Sequence, residues 1–293
     1  MQLLDGKLAA AAIKQQLQEK VAVLAAKGLG QPHLAAVLVG SNGASETYVA
    51  SKVKNCEEVG FGSSLIRLPD TASQAELLEV VQSLNQDPGV HGILVQLPLP
   101  KHISEAAIIN AIDPDKDVDG FHPINAGRLM LGQPGFVPAT PLGIMLLLKH
   151  YGLSAQGKRV VVIGRSNIVG RPMSVLLSAN SPEGNGTVTL CHSHTPHMEA
   201  LCREADVLVA ALGKPGFVRA EMIKPGAVVI DVGITRVPDA SRKTGFRIAG
   251  DVDFEGVQQV AGHLTPVPGG VGLMTIAALL TNTLEAWKRQ QGR

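Results

Sequence analysis

The sequence predicts an α/β protein of two domains, each built on a parallel β-sheet. Short apolar runs alternate with helix-like segments along the chain, which is the order of parallel β-α-β units. One run, residues 158–164, is continuous and β-branched, as in a strand buried on both faces, and a glycine turn and a helix-like segment follow it. The 293 residues are enough for two domains of ordinary size or for one large one.

Composition argues against several classes of protein. The 26 basic and 25 acidic residues nearly balance, which gives no global reason to expect nucleic acid or an anionic membrane as a partner. Apolar runs stay below the roughly 18 residues of a membrane-spanning helix, and the N-terminus lacks a basic segment followed by an apolar core. The three cysteines are widely spaced without a C-x-x-C motif, so we expect reduced thiols. These features favour a soluble cytosolic protein.

The first half of the chain predicts alternating helices and strands. Apolar residues recur at helical spacing over residues 7–26, and Gly28 stops this first helix. The next elements are predicted as a strand at residues 34–39, a helix at 44–59, a strand at 64–68, a helix at 73–84 and a strand at 92–97. Ser73 and Glu76 have the spacing of a capping box. Ligands gather beyond the carboxyl ends of such strands, where the loop at 40–43 and the segment 96–100 would lie.

Tyr48 and Lys52 stand one turn apart in the predicted helix and therefore share a face. A phenol and an amine at this spacing can handle protons, because a lysine in a cleft loses its charge more easily than one in water. The alternative is an exposed helix with Lys52 and Lys54 solvated, since lysines are rarely buried. Gln96 ends a strand and can either hold a heterocyclic amide or cap the strand end.

Four acidic residues follow in a turn-rich loop: Asp113, Asp115, Asp117 and Asp119. Their spacing resembles a calcium loop, but the glycine is misplaced and no glutamate stands at the closing position. We therefore expect one acid near a cleft and the others in solvent.

The second half of the chain predicts a nucleotide-binding sheet. Thr140 is predicted as the N-cap of a helix that runs to about Lys149. Residues 164–172 place a glycine turn between a strand and a helix N-terminus, which is the geometry that receives a phosphate. Ser166 replaces the middle glycine of G-x-G-x-x-G, so a purely structural turn is an equal alternative. Further strands are predicted at residues 187–191, 206–213 and 227–234.

The strand at residues 187–191 bears on the cofactor. It ends in His192, Ser193 and His194 and offers no carboxylate for a ribose 2′-hydroxyl. Together with Arg165 and Arg171 in the glycine turn, this favours NADP over NAD. A zinc cluster could also be drawn from Cys191, His192, His194 and His197. Adjacent residues at a strand end alternate faces and do not readily converge, so we predict no metal site.

A glycine and proline loop, residues 265–275, precedes the last predicted helix at about 275–287. Such a loop lets the backbone approach a ligand closely, and the alternative is a linker that crosses between domains. We expect the last helix to pack back on the first domain.

Taken together, these segments resemble the bifunctional methylenetetrahydrofolate dehydrogenase/cyclohydrolase family of one-carbon metabolism, the FolD family. The matching segments, in the family's order over nearly the whole length, are residues 48–52, 95–100, 116–120, 138–141, 164–166 with 169–170, 191–193 and 265–272. The resemblance implies oxidation of 5,10-methylenetetrahydrofolate by NADP, followed by hydrolysis of the methenyl product to 10-formyltetrahydrofolate. It also implies a cytoplasmic homodimer that pairs through its nucleotide domain and serves purine, methionine and histidine biosynthesis.

The resemblance implies a folate-binding catalytic domain at residues 1–138 with the C-terminal helix at about 275–293, and a Rossmann-like NADP-binding domain at 139–274. Lys52 matches the family's general acid/base, Tyr48 and Gln96 match its partners, and Asp119 matches the residue that holds the pterin ring. The remaining substrate-binding positions are Leu97, Pro98, Pro268, Gly269 and Gly270. The cofactor-binding positions are Thr140, Gly164, Arg165, Ser166, Ile168, Ser193, Ile234, Gly272 and Thr275, with Arg165 and Ser193 near the 2′-phosphate.

Two departures from the family pattern bear on the cofactor. His194 stands where the pattern has a basic residue, which would weaken the hold on a 2′-phosphate at neutral pH. The segment 180–186 is a few residues longer than usual. The alternatives are a monofunctional member of the same scaffold, a shikimate-type dehydrogenase, and a redox sensor that binds NADP without turnover.

Overall fold

The computed structural model describes residues 1–41, 43–242 and 245–292. The strands are, in chain order, β1 Gln2–Leu3, β2 His33–Val39, β3 Gly62–Leu68, β4 Gly92–Val95, β5 Arg159–Ile163, β6 Thr187–Cys191, β7 Val207–Ala210, β8 Val228–Asp231, β9 Thr235–Pro238, β10 Phe246–Ala249 and β11 His263–Leu264. The α-helices are α1 Gly6–Ala26, α2 Gly43–Glu58, α3 Gln74–Gln86, α4 Glu105–Ala111, α5 Pro123–Met130, α6 Ala139–His150, α7 Gly170–Ser178, α8 Met198–Arg203, α9 Phe254–Val257 and α10 Val271–Gln290. Asn42 of the predicted loop at 40–43, and Arg293 at the end of the predicted last domain segment, lie outside the described residues.

The chain divides into two compact units. The first unit comprises Ala11–Ala139 and the chain from Ile276 onwards, and the second comprises Met1–Ala10 and Thr140–Thr275. Together with the parallel sheets described below, this confirms the predicted two-domain α/β fold class.

The first unit contains a three-stranded parallel sheet in the order β3-β2-β4. Val37 of the central strand is fully buried and belongs to a core cluster with Leu77 and Val81 of α3. Helix α3 begins after Ser73, whose Oγ accepts from the Glu76 amide at 3.2 Å while Glu76 Oε2 accepts from the Ser73 amide at 2.6 Å. The predicted capping box is therefore confirmed.

The C-terminal helix packs on the first unit, as predicted. Asn282 of α10 is buried, and its Nδ2 donates to the carbonyl oxygens of Val118 at 2.8 Å and Val137 at 3.0 Å. These bonds satisfy two backbone acceptors that no strand pairing serves. The helix begins at Val271, four residues before the predicted start at Thr275.

The second unit contains a six-stranded sheet in the order β1-β11-β8-β7-β5-β6, and its strands pair in parallel. Residues 1–10 belong to this unit, although we placed them in the first domain by sequence. The physical reason is pairing, because Gln2 and Leu3 align with His263 and Leu264 in strand β11. The antiparallel pair β9-β10 was not predicted.

Strand order identifies one edge of this sheet as a ligand site. β5 pairs with β6 on one side and with β7 on the other, and the chain passes through α7 to β6 before it reaches β7. The strand order therefore reverses at β5, and ligands of doubly wound sheets bind beyond the carboxyl ends of the strands at such a point.

Among the described helices, none is long and apolar enough to cross a membrane.

Candidate active site

Lys52 of α2 is buried, with 5% of its surface exposed, whereas Lys54 on the same helix is exposed. Lys52 Nζ donates to Gln96 Oε1 at 3.1 Å and lies 4.9 Å from the centroid of the Tyr48 ring. The one-turn spacing of Tyr48 and Lys52 therefore does bring the two side chains together. The alternative of a solvated Lys52 is wrong.

The end of β4 positions Gln96. Its backbone amide donates to the Val37 carbonyl at 2.9 Å, which continues the ladder between β4 and β2. Its side-chain Nε2 donates to the Leu97 carbonyl at 2.6 Å, and this bond turns Oε1 toward Lys52. Of the two predicted substrate positions that follow Gln96, Leu97 is half-buried and Pro98 is exposed.

The electrostatics of the site couple Lys52 to Asp119. Burial lowers the pKa of Lys52, and the charge of Asp119 opposes that effect. Burial raises the pKa of Asp119 to about 6, the charge of Lys52 lowers it, and the charge of Asp117 raises it. The site therefore combines an amine that gives up its proton readily with a carboxyl group that takes one near pH 6.

Asp117 corrects the expectation that one acid of the 113–119 loop lies near a cleft and the others are in solvent. Asp117 is 1% exposed, and its Oδ2 accepts from the His122 amide and from Asn125 Nδ2, both at 2.9 Å. These bonds fold the loop onto the start of α5, and the burial of Asp117 is compensated by its donors.

A glycine turn follows β5 in the second unit. Gly164 has φ of +118°, and a Cβ there would collide with the carbonyl oxygen of Ala211. A Cβ at Gly170 would collide with the carbonyl oxygen of Gly164. Ser166, which stands at the position of the middle glycine, accepts on Oγ from the amides of Val169 at 3.2 Å and Gly170 at 3.5 Å. The turn is therefore closed by a serine at the start of α7, and its hydroxyl hydrogen can still donate.

Basic side chains gather at the carboxyl ends of β5 and β6, where Ile163 aligns with Cys191. Arg165 and His194 are exposed, and His192 is half-buried. Desolvation lowers the pKa of His192, and the charges of Arg165 and His194 lower it further. Ser193 is exposed between the two histidines. Across the described residues, no group of three or more His, Cys, Asp or Glu side chains is arranged to hold a metal ion.

The remaining predicted cofactor positions lie in the same unit. Ile168 and Ile234 expose 47% and 66% of their surface, which is unusual for isoleucine and leaves apolar area open near the glycine turn and after β8. Thr140 and Thr275 lie with their Oγ1 atoms 3.2 Å apart. Helix α6 begins at Ala139, so Thr140 lies in its first turn and the N-cap prediction is wrong.

The predicted 265–275 loop ends earlier than expected, because Gly272 and Thr275 lie in the first turns of α10. Of the predicted substrate positions here, Pro268 is exposed, Gly269 accepts from the Gly6 amide at 2.9 Å, and Gly270 is buried. These three residues belong to the second unit, whereas Lys52, Tyr48, Gln96 and Asp119 belong to the first.

Sequence reasoning missed two buried acids in the second unit. Asp231 is 3% exposed at the end of β8, and Asp251 is fully buried after β10. A signal was present, because Asp231 interrupts the otherwise apolar run at residues 227–234.

Comparison with known families shows which family the chain belongs to. Residues 4–119 match the catalytic domain of tetrahydrofolate dehydrogenase/cyclohydrolase, and residues 138–291 match its NAD(P)-binding domain. The chain belongs to the tetrahydrofolate dehydrogenase/cyclohydrolase family. The Porphyromonas gingivalis bifunctional protein FolD is 59% identical over 98% of this chain and 97% of its own length.

Solved structures of this family agree in fold over the whole chain. The bifunctional FolD enzyme of Campylobacter jejuni is 50% identical, has a TM-score of 0.92, and the match covers 99% of each chain. The Trypanosoma brucei dehydrogenase-cyclohydrolase, solved with NADP and an inhibitor, is 42% identical with a TM-score of 0.93 over 99% of this chain and 98% of its own.

Membership of the tetrahydrofolate dehydrogenase/cyclohydrolase family confirms the predicted enzyme class, with both activities, and the predicted nicotinamide dinucleotide cofactor. The shikimate-type and monofunctional alternatives are not favoured. The shikimate 5-dehydrogenase of Thermus thermophilus is 17% identical with a TM-score of 0.51, which is a likeness of fold alone.

Proposed function

We propose that this chain oxidises 5,10-methylenetetrahydrofolate with NADP to the methenyl form and hydrolyses that product to 10-formyltetrahydrofolate, with Lys52 as the general acid/base. The observation that carries the proposal is the buried Lys52 amine, held at 3.1 Å by the neutral oxygen Gln96 Oε1. An amine in this environment is uncharged more often than one in water.

Hydrolysis of the methenyl cation requires two proton movements. Water adds to the cationic carbon and must lose a proton, and one of the two folate nitrogens must gain a proton as the ring opens. A neutral Lys52 amine that donates one hydrogen to Gln96 keeps its lone pair for the water proton. The ammonium then formed can protonate the leaving nitrogen, and it is stabilised by Asp119 and by the face of the Tyr48 ring.

Asp119 is proposed to hold the pterin ring. A carboxylate accepts two parallel hydrogen bonds from adjacent N–H groups, which is the pattern that an aminopyrimidine edge presents. Leu97, Pro98, Pro268, Gly269 and Gly270 are proposed as further substrate contacts, on the resemblance to the family.

The second unit has residues that fit NADP. Gly164 and Gly170 let backbone segments pack at distances where a Cβ would collide. The Ser166 hydroxyl at this helix N-terminus can donate to a phosphate oxygen. Arg165, Ser193 and His194 supply donors and charge for the 2′-phosphate. Bound NADP supplies the hydride acceptor for the oxidation. The other residues proposed to contact it are Thr140, Ile168, Ile234, Gly272 and Thr275.

We also propose the domain boundaries, the location, the oligomeric state and the pathways that the protein serves. Folate binding is proposed for the predicted catalytic domain, residues 1–138 with the C-terminal helix, and NADP binding for residues 139–274, except that residues 1–10 group with the NADP-binding unit. A cytoplasmic homodimer that serves purine, methionine and histidine biosynthesis is proposed on the family resemblance. Edge strand β6, with Val188 and Leu190 half-buried, is a place in the nucleotide-binding sheet where a second copy can pack. Light scattering tests the dimer, and a monomer at micromolar concentration would contradict it.

A paired assay tests the function. Purified protein is mixed with 5,10-methylenetetrahydrofolate, and NADPH formation with NADP is compared with NADH formation with NAD. Loss of 5,10-methenyltetrahydrofolate is followed separately against its spontaneous decay. We expect NADP-dependent reduction and accelerated methenyl decay. Cofactor binding with neither reaction would overturn the proposal.

A further inference from the structure

We propose that Asp231 and Asp251 are positioning residues for the cofactor site, because together they tie three loops at the carboxyl edge of the second unit's sheet. The inference rests on the proposed binding of NADP at this edge. Neither residue is placed in contact with the cofactor, so each acts through the backbone that it holds.

Asp231 holds the loop after β8 to the segment after β10. Its Oδ1 accepts from the amides of Gly233 at 2.9 Å and Asp251 at 2.8 Å, and its Oδ2 accepts from the amide of Val252 at 3.0 Å. A Cβ at Gly250 would collide with Asp231 Oδ2, so the packing of this carboxyl group requires glycine there.

Asp251 extends the connection to the loop after β7. Its Oδ2 accepts from the amides of Leu212 at 2.7 Å and Gly213 at 2.9 Å. Its Oδ1 is buried without a hydrogen-bond partner among the described residues and lies against Gly233, where an added Cβ would be 2.7 Å away. Between them, the two carboxyl groups accept from the amides of three loop segments.

Two of these loops lead directly to predicted cofactor positions. Gly233 directly precedes Ile234. Leu212 directly follows Ala211, and the Ala211 carbonyl oxygen lies so close to Gly164 that a Cβ on Gly164 would collide with it. A shift of the 211–213 loop therefore acts on the glycine turn, and a shift of Gly233 acts on Ile234. Misplacement by about 1 Å is enough to lower activity a hundredfold at some sites.

The cost of the arrangement argues for a specific role. Two carboxyl groups are buried close together, and burial with the charge of Asp251 raises the pKa of Asp231 to about 6 despite three amide donors. Burying like charges is unfavourable, and an ordinary loop can satisfy its amides with neutral groups or water. Strained or costly arrangements of this kind concentrate at functional sites.

The experiment compares Asp251→Ala with Asp251→Asn and uses Asp253→Ala as the matched control. Asp253 is exposed, and its side chain makes no capping hydrogen bond to α9. The Kd for NADP is measured by calorimetry, and the cyclohydrolase rate without cofactor is measured on the same preparations. We expect Asp251→Ala to weaken NADP binding at least tenfold more than it lowers the cyclohydrolase rate.

Asp251→Asn separates anchoring from charge. Its amide oxygen can still accept from Leu212 and Gly213, while its NH₂ group takes the place of the unpartnered oxygen, so we expect NADP binding within about threefold of the parent. An Asn variant as weak as the Ala variant would overturn the anchoring role, and so would equal losses of NADP binding and cyclohydrolase activity.

If Asp251→Ala does not yield folded protein, Asp231→Asn replaces it. That variant turns one acceptor into a donor facing a backbone N–H, and unchanged NADP binding would overturn the proposal. Failure of the unsubstituted protein to bind NADP would instead overturn the proposed function.

Discussion

Lys52 Nζ donates to Gln96 Oε1 at 3.1 Å, and the Gln96 amide is itself fixed by its bond to the Leu97 carbonyl at 2.6 Å. The amine is thus held by a neutral acceptor instead of a carboxylate. A carboxylate at this distance would keep the lysine protonated. Because the amide is neutral, burial remains the largest effect on Lys52 and lowers its pKa.

Lys52→Met should lower the cyclohydrolase rate by roughly a hundredfold or more, the usual loss for an acid/base group, and should lower hydride transfer less. Hydride transfer to the cofactor needs no base, so position alone is affected. Lys54→Met is the matched control, because Lys54 lies on the same helix and is exposed. Initial rates of both reactions check the prediction. Equal losses in both would make Lys52 a positioning residue.

Gln96→Glu should shift the pH profile of the cyclohydrolase to higher pH. The new carboxylate would raise the pKa of Lys52, so that less neutral amine is present at pH 7 and the rate recovers as the pH rises. Gln96→Met removes the acceptor without adding charge, and it should lower the rate without this upward shift. Rates from pH 6 to 10 distinguish the two variants. A profile for the Glu variant that superimposes on the parent's would show that Lys52 does not titrate in the reaction.

Asp119 should make folate affinity depend on pH near its pKa of about 6. The carboxylate proposed to pair with the pterin is present above this pH and protonated below it, so KM for the folate should rise as the pH falls from 7 to 5. Asp119→Asn should have a high KM throughout and lose the pH dependence. A parent KM that is flat over this range would remove the proposed role.

The same residue gives a stability prediction with a defined sign. The pKa of Asp119 is raised from 3.8 to about 6 in the folded chain, so its contribution favours the folded state below pH 4 and is lost as the pH rises through about 6. Asp119→Asn should therefore raise the unfolding midpoint at pH 8 more than at pH 4. An equal change at both pH values would mean that the carboxyl group is not destabilised by ionisation.

Much of the lysine site follows from local sequence patterns. The helical period alone places Tyr48 and Lys52 on one face, and the end of an apolar strand predicts where Gln96 lies. The capping box of Ser73 and Glu76 is equally local, since its two partners are three residues apart. These predictions held because each depends on neighbours within one turn or one strand.

Features that depend on distant partners could not be read in the same way. Asp117 looked solvated because its donor Asn125 is brought near only when the loop folds onto α5. Gly272 looked like part of a loop because nothing in the 265–275 segment shows that α10 starts at Val271. The proposed role of Asp251 depends on amides almost 40 residues earlier, at Leu212 and Gly213, which no local pattern connects to it.

His194→Lys should raise kcat/KM for NADP roughly two- to fivefold at pH 8, the gain expected from one exposed ion pair. The lysine ammonium is charged at pH 8, and the lowered pKa of His192 leaves that neighbour unable to supply a positive charge. NAD lacks the 2′-phosphate and serves as the internal control, so its kcat/KM should change little. Equal gains with NAD and NADP would place His194 away from the 2′-phosphate.

Asn282→Ala should destabilise the protein by about 2 kcal/mol, because it leaves the carbonyl oxygens of Val118 and Val137 without their donor. KM for the folate should also rise, since Val118 directly precedes Asp119 and loses the bond that fixes its peptide. Thr281→Ala is the matched control, because among the described residues the Thr281 hydroxyl bonds within α10 alone, to the Ala277 carbonyl at 2.9 Å. Urea unfolding and folate KM are measured on both variants. If the two variants unfold at the same urea concentration with the same KM, the C-terminal helix does not position Asp119 through Asn282.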